Sequence, residues 1–557
     1  MKYLLIGVGG TGAKILESVV YLAAAGINGG FRGNVDEIEM RFIDMDAEGG
    51  NFKRLEDLLK LYKEMYEHMQ DYEKAKIANS EDKMFNTDGK TWKPIKITYE
   101  RFVPGGQNPQ NSKFRGNIDF NTVNKLKDLI TGSDDNIKLA EFFYTEDLLT
   151  KLDLRKGSRG DPSIGSIVWG KWFDDEAEDT NADGFWKNLI TGKYAVPSQD
   201  ADGIRVIFVG SVFGGTGASG LPTITSKFHE KYIKGKDSNG NTKLGAVFML
   251  PYFTFAKGNP KDGQQANPDN FSASTKLALK YYYDSDVVNI LDGLYLIGGN
   301  QRIMRDEAGE TIKFEFGGPS QINPAMPEEL VAALAVFDFF NEKTGQFTDE
   351  RKIRLAHTVA ATASKDENVY VPPDSKITWN SFPQNETLSL ALNRLLRLSL
   401  FWNGFLDNHI MEGLPLLPLN NLAFVKHGLF GNRPDTKHLK RDKWRVDDAS
   451  RPDGTIDTLN YYEFFNRTLN YLAQLEQNGL MFADTEQDKI PKKLVDIKKI
   501  KFNDIKAEKP NTYRLDGADI GEYTNKLINL ADVRVDKDDA KEQYERVLSA
   551  IMSIIGL

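Results

Sequence analysis

The chain contains no cysteine. Disulfides, thiolate metal sites, iron–sulfur clusters and Cys nucleophiles are therefore excluded. Histidine is scarce. His68, His229, His357, His409, His427 and His438 show no pair at metal-ligand spacing, which argues against a His-based zinc site. No apolar run reaches the roughly 18 residues of a spanning helix. Positive charge is in deficit, 71 Lys and Arg against 80 Asp and Glu, for a net charge of −9. That balance argues against bulk affinity for nucleic acid or anionic membrane, and leaves local basic patches open. A GxxxxGK[ST] motif is missing too, so there is no Walker-type phosphate loop with its lysine.

What is present is ordinary for a globular protein: 557 residues, 40% hydrophobic and 27% charged. At about 100–200 residues per domain, that length allows about two to four domains. The opening MKYLLIGVGG has the apolar look of a signal peptide. Gly7, Gly9 and Gly10 interrupt it and no small-residue cleavage site follows, so it reads as a mature strand in a cytoplasmic protein.

Met1 to Val8 is apolar without alternation, the pattern of a strand buried on both faces. It ends in Gly7-Val8-Gly9-Gly10-Thr11-Gly12, and a helical stripe follows at Ile15, Val19 and Leu22. Glycines let a ligand approach the backbone, and free N–H groups at a helix start favour an anion. The spacing also fits the GxGxxG of a dinucleotide-binding Rossmann turn. A tight turn with no ligand is the plainer alternative. The next strand, Ile38 to Ile43, ends in Asp44-Met45-Asp46, where a Rossmann enzyme would carry its ribose-binding acid. A second buried strand, Ile204 to Val209, runs into Gly210-Ser211-Val212-Phe213-Gly214-Gly215-Thr216-Gly217-Ala218-Ser219-Gly220, with a helix expected from about Leu221 to His229. A dinucleotide domain needs only one such turn. Two suggest a single polyphosphate gripped from both sides.

Phe213-Gly214-Gly215-Thr216-Gly217-Ala218-Ser219 resembles the GGGTG(S/T)G signature of the tubulin/FtsZ superfamily, with Phe213 in place of the first glycine. Val8-Gly9-Gly10-Thr11-Gly12 is similar to that family's first nucleotide loop and Ile43-Asp44-Met45-Asp46 to its second. Lys156 to Gly165 resembles a third glycine loop, Gly245 to Phe255 the sugar-side strand with its Pro-Phe-x-Phe run, and Asp292 to Asn300 the strand whose final Asn reads guanine. The matches fall in the family's order over about residues 1–345.

The resemblance implies a Rossmann-like tubulin/FtsZ GTPase domain with a parallel sheet at 1–323, bearing an insertion at about 50–150. A buried central helix at 324–345 and a second α+β domain with C-terminal helices at 346–557 would follow. It implies GTP or GDP with Mg²⁺. Gly9, Gly10 and Thr11 would contact phosphates, and Asp44 and Asp46 would lie near the phosphates or the Mg²⁺. Gly160 would approach the γ-phosphate, with Arg159 adding charge. Gly214, Gly215, Thr216 and Gly217 would form the main cradle, and Asn300 would bind the base. The ribose-holding Glu usual after the Pro-Phe run is replaced by Ala256-Lys257-Gly258.

Pro324 to Phe340 reads as a helix with an acidic first turn, Glu328-Glu329, and an interior apolar on nearly every side. In the resembled family the loop after this helix delivers acids to a neighbouring subunit's nucleotide. Here Asp349 and Glu350 are the candidate catalytic acids and Asp338 a weaker one. A solvated acidic loop explains them equally. Leu388, Leu392, Leu395 and Leu396, and again Tyr462, Phe465, Leu469 and Leu472, form helical stripes that read as core. An apolar tail ends the chain at Val547, Leu548, Ile551, Ile554 and Ile555, with packing on its own domain the default. The reading is a GTPase that self-assembles head-to-tail into filaments. Further protein partners could use the insertion or the C-terminal domain; no nucleic acid and no integral membrane segment are expected. The alternatives are a nucleotide-gated scaffold that does not hydrolyse, in a bacterial defence or membrane-remodelling system, and an NAD-binding oxidoreductase.

Overall fold

A computed structural model describes residues 1–26, 35–46, 48–77, 94–102, 125–130, 134–154, 158, 161–174, 203–234, 241–255, 268–306, 309–312, 317–343, 346–348, 352–358, 377–378, 395, 399 and 458–481. In chain order the elements begin with β1 (Lys2–Val8), α1 (Gly9–Ala25), β2 (Glu37–Ile43), α2 (Gly50–Ile77) and β3 (Lys96–Phe102). Three short helices, α3 (Leu126–Leu129), α4 (Asp134–Phe143) and α5 (Glu146–Lys151), lead to α6 (Pro162–Asp174). Then come β4 (Ile204–Ser211), α7 (Gly215–Phe228), β5 (Thr242–Met249), β6 (Phe253–Thr254), α8 (Phe271–Asp284), β7 (Gly293–Gly299) and β8 (Arg302–Ile303). The central helix α9 (Pro327–Asn341) precedes β9 (Ile353–Thr358), β10 (Ile377–Thr378), α10 (Thr458–Gln477) and β11 (Leu480–Met481).

Seven strands form one sheet in the order β3-β2-β1-β4-β5-β7-β9, every neighbouring pair parallel. β1 sits between β2 and β4, with Val8 beside Ile43 and Gly7 beside Val209. The chain therefore winds outward one way from β1 and the other way from β4, which makes the crevice beyond their C-terminal ends the switch point of a doubly wound sheet. The strand runs are buried on both faces because helices cover both. On one face α1 is enclosed by the sheet, α2, α9 and α10. Burial, at about 1.5–3 kcal/mol for each Leu or Val, stabilises it in place of a cap.

The stretch 50–150, read as an insertion, supplies α2 and the edge strand β3 to this sheet. β9 extends the sheet beyond residue 345. α10 carries the expected stripe: Phe465, Leu469 and Leu472 are buried, Tyr471 stacks on Tyr21 at 4.2 Å, and the Tyr471 hydroxyl donates to Ser18 Oγ at 2.9 Å. Of the other C-terminal stripe Leu395 is buried; Leu388, Leu392, Leu396 and the apolar tail lie outside the described residues. Among the described residues no helix is long and apolar enough to cross a membrane.

Two helix starts differ from expectation. α7 begins at Gly215 rather than about Leu221, so the second glycine run is itself the first turn of the helix. α9 begins at Pro327, where its fixed φ suits a first turn, while 324–326 stay non-helical. Glycine is required where α1 and α7 lie on their strands. A Cβ on Gly12 would come within 2.9 Å of Gly7 C and Val209 O, and one on Gly217 within 2.6 Å of Ser211 O.

Candidate functional site

Four helices show how this chain ordinarily treats a helix start. α5 has the Thr145 side chain accepting from the Leu148 N–H, and α6 has Asp161 Oδ1 accepting from the Ser163 N–H at 2.9 Å. α9 has Glu329 Oε2 accepting from the Met326 N–H at 3.0 Å, and α3 has Asp128 accepting from the Lys125 N–H. The two glycine-loop helices differ from these four, and share with α8 the lack of a side-chain cap. α1 starts after Val8 and α7 after Gly214, neither with a side-chain cap and neither with an acid in its first turn. The leading N–H groups of both stay without a side-chain acceptor, side by side at the switch point, and both dipoles favour an anion there.

The two loops touch. Gly9 holds a φ of +75°, and a Cβ there would lie 3.1 Å from Gly217 N and 3.2 Å from Thr216 Cβ. Gly9, Gly215 and Gly217 are buried, whereas Gly10, Thr11, Gly214 and Thr216 are half-buried and form an accessible rim. Thr216 Oγ1 donates to Asp44 Oδ1 at 3.2 Å, joining the end of β2 to the second glycine loop. The Thr11 side chain lies beside the Tyr252 hydroxyl.

Asp44 and Asp46 are both buried. Burial, and then the charge of Asp46, pushes the Asp44 carboxyl up to about 7 against the hydrogen bond from Thr216. Asp46 is also raised, chiefly by burial. Its two oxygens are taken by backbone donors, Oδ1 by Glu48 N at 3.0 Å and Oδ2 by Gly318 N at 2.5 Å. Asp46 therefore pins the 317–323 segment, and Asp44 is the acid that faces the glycine loops. Among the described residues no three His, Asp or Glu side chains cluster as a protein-only metal site.

The raised Asp44 sets a pH dependence. Its folded value near 7 exceeds the ordinary 3.8, so between those values the folded chain binds more protons than the unfolded chain. Stability without ligand should fall as pH rises from about 4 to 7, by an amount on the order of 4 kcal/mol. Asp44→Asn should remove this slope and give the more stable protein at pH 8. Denaturation midpoints at pH 5.5 and 8 check it; equal slopes in the two proteins would show that Asp44 ionises freely.

The remaining sequence candidates fall around this core unevenly. Ser158 and Asp161 bring the third loop to the start of α6, and Trp169 Nε1 of that helix donates to Ser219 Oγ at 3.1 Å, so α6 lies against α7. Arg159 and Gly160 themselves are outside the described residues, as are Asp349 and Glu350. Asn300 is half-buried just past β7; Gly299 and Arg302 on either side donate backbone N–H groups to Pro251 and Tyr252 at 3.5 and 3.4 Å. Phe213 turns inward instead of opening the loop, packing on Phe271, Phe253 and Tyr252. The second glycine loop thus packs on the 251–255 segment, which in turn pairs with the residues flanking Asn300. Asp338 is half of an ion pair with Arg354 at 2.6 Å and accepts from the Tyr295 hydroxyl at 2.7 Å, which is structural work on β7 and β9.

A buried polar chain beneath the loops was not foreseen. Lys14 of α1, 3% exposed, pairs with Glu329 of α9, 1% exposed. Tyr252 donates to Glu329 Oε1 at 2.6 Å and meets Thr11 on its other side. Burial lowers the Lys14 pKa, opposed by Glu329. The one sequence signal was a lysine inside an otherwise apolar helix stripe. On the other flank the Arg101 guanidinium lies over Phe52 at 4.6 Å and pairs with Glu56 at 3.2 Å.

The fold and site together define a doubly wound, Rossmann-like α/β domain with two uncapped glycine-loop helices at its switch point and a buried helix beneath. No protein-family model matches the chain, and no curated protein does. Among solved structures it is similar to "CetZ2 from Haloferax volcanii - GTPgS bound protofilament", at 12% identity over 61% of this chain and 56% of that one, TM-score 0.25. It is likewise similar to CetZ from Methanosaeta thermophila strain DSM 6194, at 12% identity over 61% and 51%, TM-score 0.21. The match spans about half the length of those proteins. Likeness at this level says nothing about activity.

Proposed function

We propose that this chain is a nucleotide-binding protein of the tubulin/FtsZ superfamily that takes GTP with Mg²⁺ at the β1–β4 crevice and hydrolyses it on head-to-tail self-assembly. The observation that carries the reading is the pair of uncapped helix starts, α1 and α7, meeting at Gly9 and Gly217 on adjacent strands. Gly9, Gly10, Thr11 and Gly214 to Gly217 would hold the phosphates through backbone N–H groups. Mg²⁺ would neutralise phosphate oxygens, with Asp44 beside it. Asn300 would bind the base, and Arg159 and Gly160 would close over the terminal phosphate.

An NAD reading fits less well. It needs the acid at the end of β2 free for a ribose, and Asp44 is instead buried and bonded to Thr216. Calorimetric titration with GTP, ATP and NAD separates the cases. GTP binding without NAD binding is expected, and the reverse would sink the assignment.

Hydrolysis rests on geometry at the opposite end of the sheet. Phe347 packs on Phe339, with the guanidinium of Arg205 and the ammonium of Lys243 over its ring, and these two cations start β4 and β5. The chain resumes at Lys352, whose carbonyl accepts from Leu294 N at the start of β7. Both flanks of Asp349 and Glu350 therefore lie at the N-terminal edge, away from the glycine loops. Acids there would serve a nucleotide on the next subunit, in a head-to-tail contact that repeats without closing. Turnover per chain should accordingly rise with protein concentration, and Asp349→Ala should lower it by about a hundredfold or more with GTP affinity unchanged. Adding a Gly215→Val chain to Asp349→Ala should partly restore activity at mixed contacts. Concentration-independent turnover and a silent Asp349→Ala would favour a second reading, a scaffold that binds nucleotide without hydrolysing it. That reading draws on the pairing of Asp338 and Glu342 with Arg354, which uses the described acids at the end of α9 for structure.

A further inference from the structure

The second residue of α2 points at the same crevice. Asn51 is 3% exposed. Its Oδ1 accepts from the Asn323 N–H at 2.8 Å, which sets the amide orientation, because a flip would face the NH₂ group against that N–H. Its Nδ2 is buried and has no hydrogen-bond acceptor. An unmet buried donor of this kind costs about 1–3 kcal/mol. Nδ2 faces Gly10: it lies 3.5 Å from where a Gly10 Cβ would stand, and apart from Gly9, Thr11 and the backbone of α1 itself no other described atom comes within 4 Å of that point. The gap beside the uncapped first turn of α1 is thus bordered by an amide that can only donate.

We propose that Asn51 is a phosphate-binding residue, its Nδ2 donating to a phosphate oxygen seated beside Gly10. This deepens the nucleotide reading and rests on it. The same amide accepts from Asn323 of the 317–323 segment, and Gly50 N donates to Gly318 O at 3.0 Å alongside. A phosphate in that gap would meet donors from α1 and α2 together. It would also satisfy the buried Asn51 Nδ2 donor. Nothing in the sequence pattern marks Asn51, because its partner Asn323 is 272 residues away.

Asn51→Asp separates a ligand role from a structural one. The carboxylate keeps an acceptor for Asn323 N, removes the donor and places negative charge toward the phosphate. A charge-assisted hydrogen bond of about 1.5–3 kcal/mol corresponds to an affinity loss of about 10- to 150-fold. The full-length chain is titrated with GTP and Mg²⁺, and the GTP-induced rise in melting temperature is measured beside it. Asn51→Asp should weaken GTP by that factor and shrink the rise. Asn51→Leu, which loses both donor and acceptor, should show the same loss of affinity with an additional fall in the ligand-free melting temperature. If both variants bind GTP within about twofold of wild type and only the ligand-free melting temperature falls, Asn51 is a structural bridge and the inference fails alone. If wild type itself does not bind GTP, the nucleotide reading fails and this inference with it.

Discussion

Lys14→Met is expected to destabilise the nucleotide domain by about 3–5 kcal/mol, the effect of breaking a buried ion pair by removing one partner. Lys14 and Glu329 are almost wholly enclosed, and the Glu329 carboxylate also serves Tyr252 and the Met326 N–H. Without the ammonium, Glu329 retains its charge in an apolar setting. The double variant Lys14→Met with Glu329→Gln should recover much of the loss, because the glutamine amide can still accept from Tyr252 and the stranded charge is gone. Denaturation midpoints of the four proteins complete a double-mutant cycle. Additive effects would show that the two side chains do not interact energetically. The same cycle run with GTP bears on function. Lys14 lies one turn after Thr11, and Glu329 is in the first turn of α9, so the pair joins the first glycine loop to the central helix.

Gly9→Ala should weaken GTP by about a hundredfold or more. Two effects add. The φ of +75° is strained for a residue with a Cβ by about 1–2 kcal/mol. The new methyl would also stand 3.1 Å from Gly217 N, so the two glycine loops must part by a few tenths of an ångström. Both loops then lose their common aim at one phosphate chain, and each charge-assisted hydrogen bond lost is about 1.5–3 kcal/mol. Gly170→Ala is the control. Nothing lies within 4 Å of a Cβ there and the residue is inside α6, so affinity should be unchanged. Titration calorimetry on both variants decides. A Gly9→Ala chain that binds GTP as wild type does would make the first loop a structural turn only.

The sequence by itself determined the parts that depend on neighbours along the chain. Unbroken apolar runs marked β1 and β4 as strands covered on both faces, and the glycines after them marked the two places where backbone must come close to something. The acidic first turn and apolar interior of α9 marked a buried helix. Local pattern ended there. That β1 and β4 are adjacent, which turns two glycine turns into one crevice, is a property of the sheet order. Asp44 and Asp46 read alike in sequence. Thr216, 172 residues from Asp44, and Gly318, 272 residues from Asp46, assign one to the glycine loops and the other to the 317–323 segment. Phe213, a departure from the resembled signature, became a core aromatic only because Phe253 and Phe271 converge on it. β3 and β9 joined the sheet through pairing partners, although the first lies in the stretch read as an insertion and the second in the part read as a second domain. The division has one physical cause. Backbone conformation and burial periodicity are set by side chains a few positions apart, whereas pairing, desolvation and the fate of a buried charge depend on atoms that only folding brings within about 4 Å.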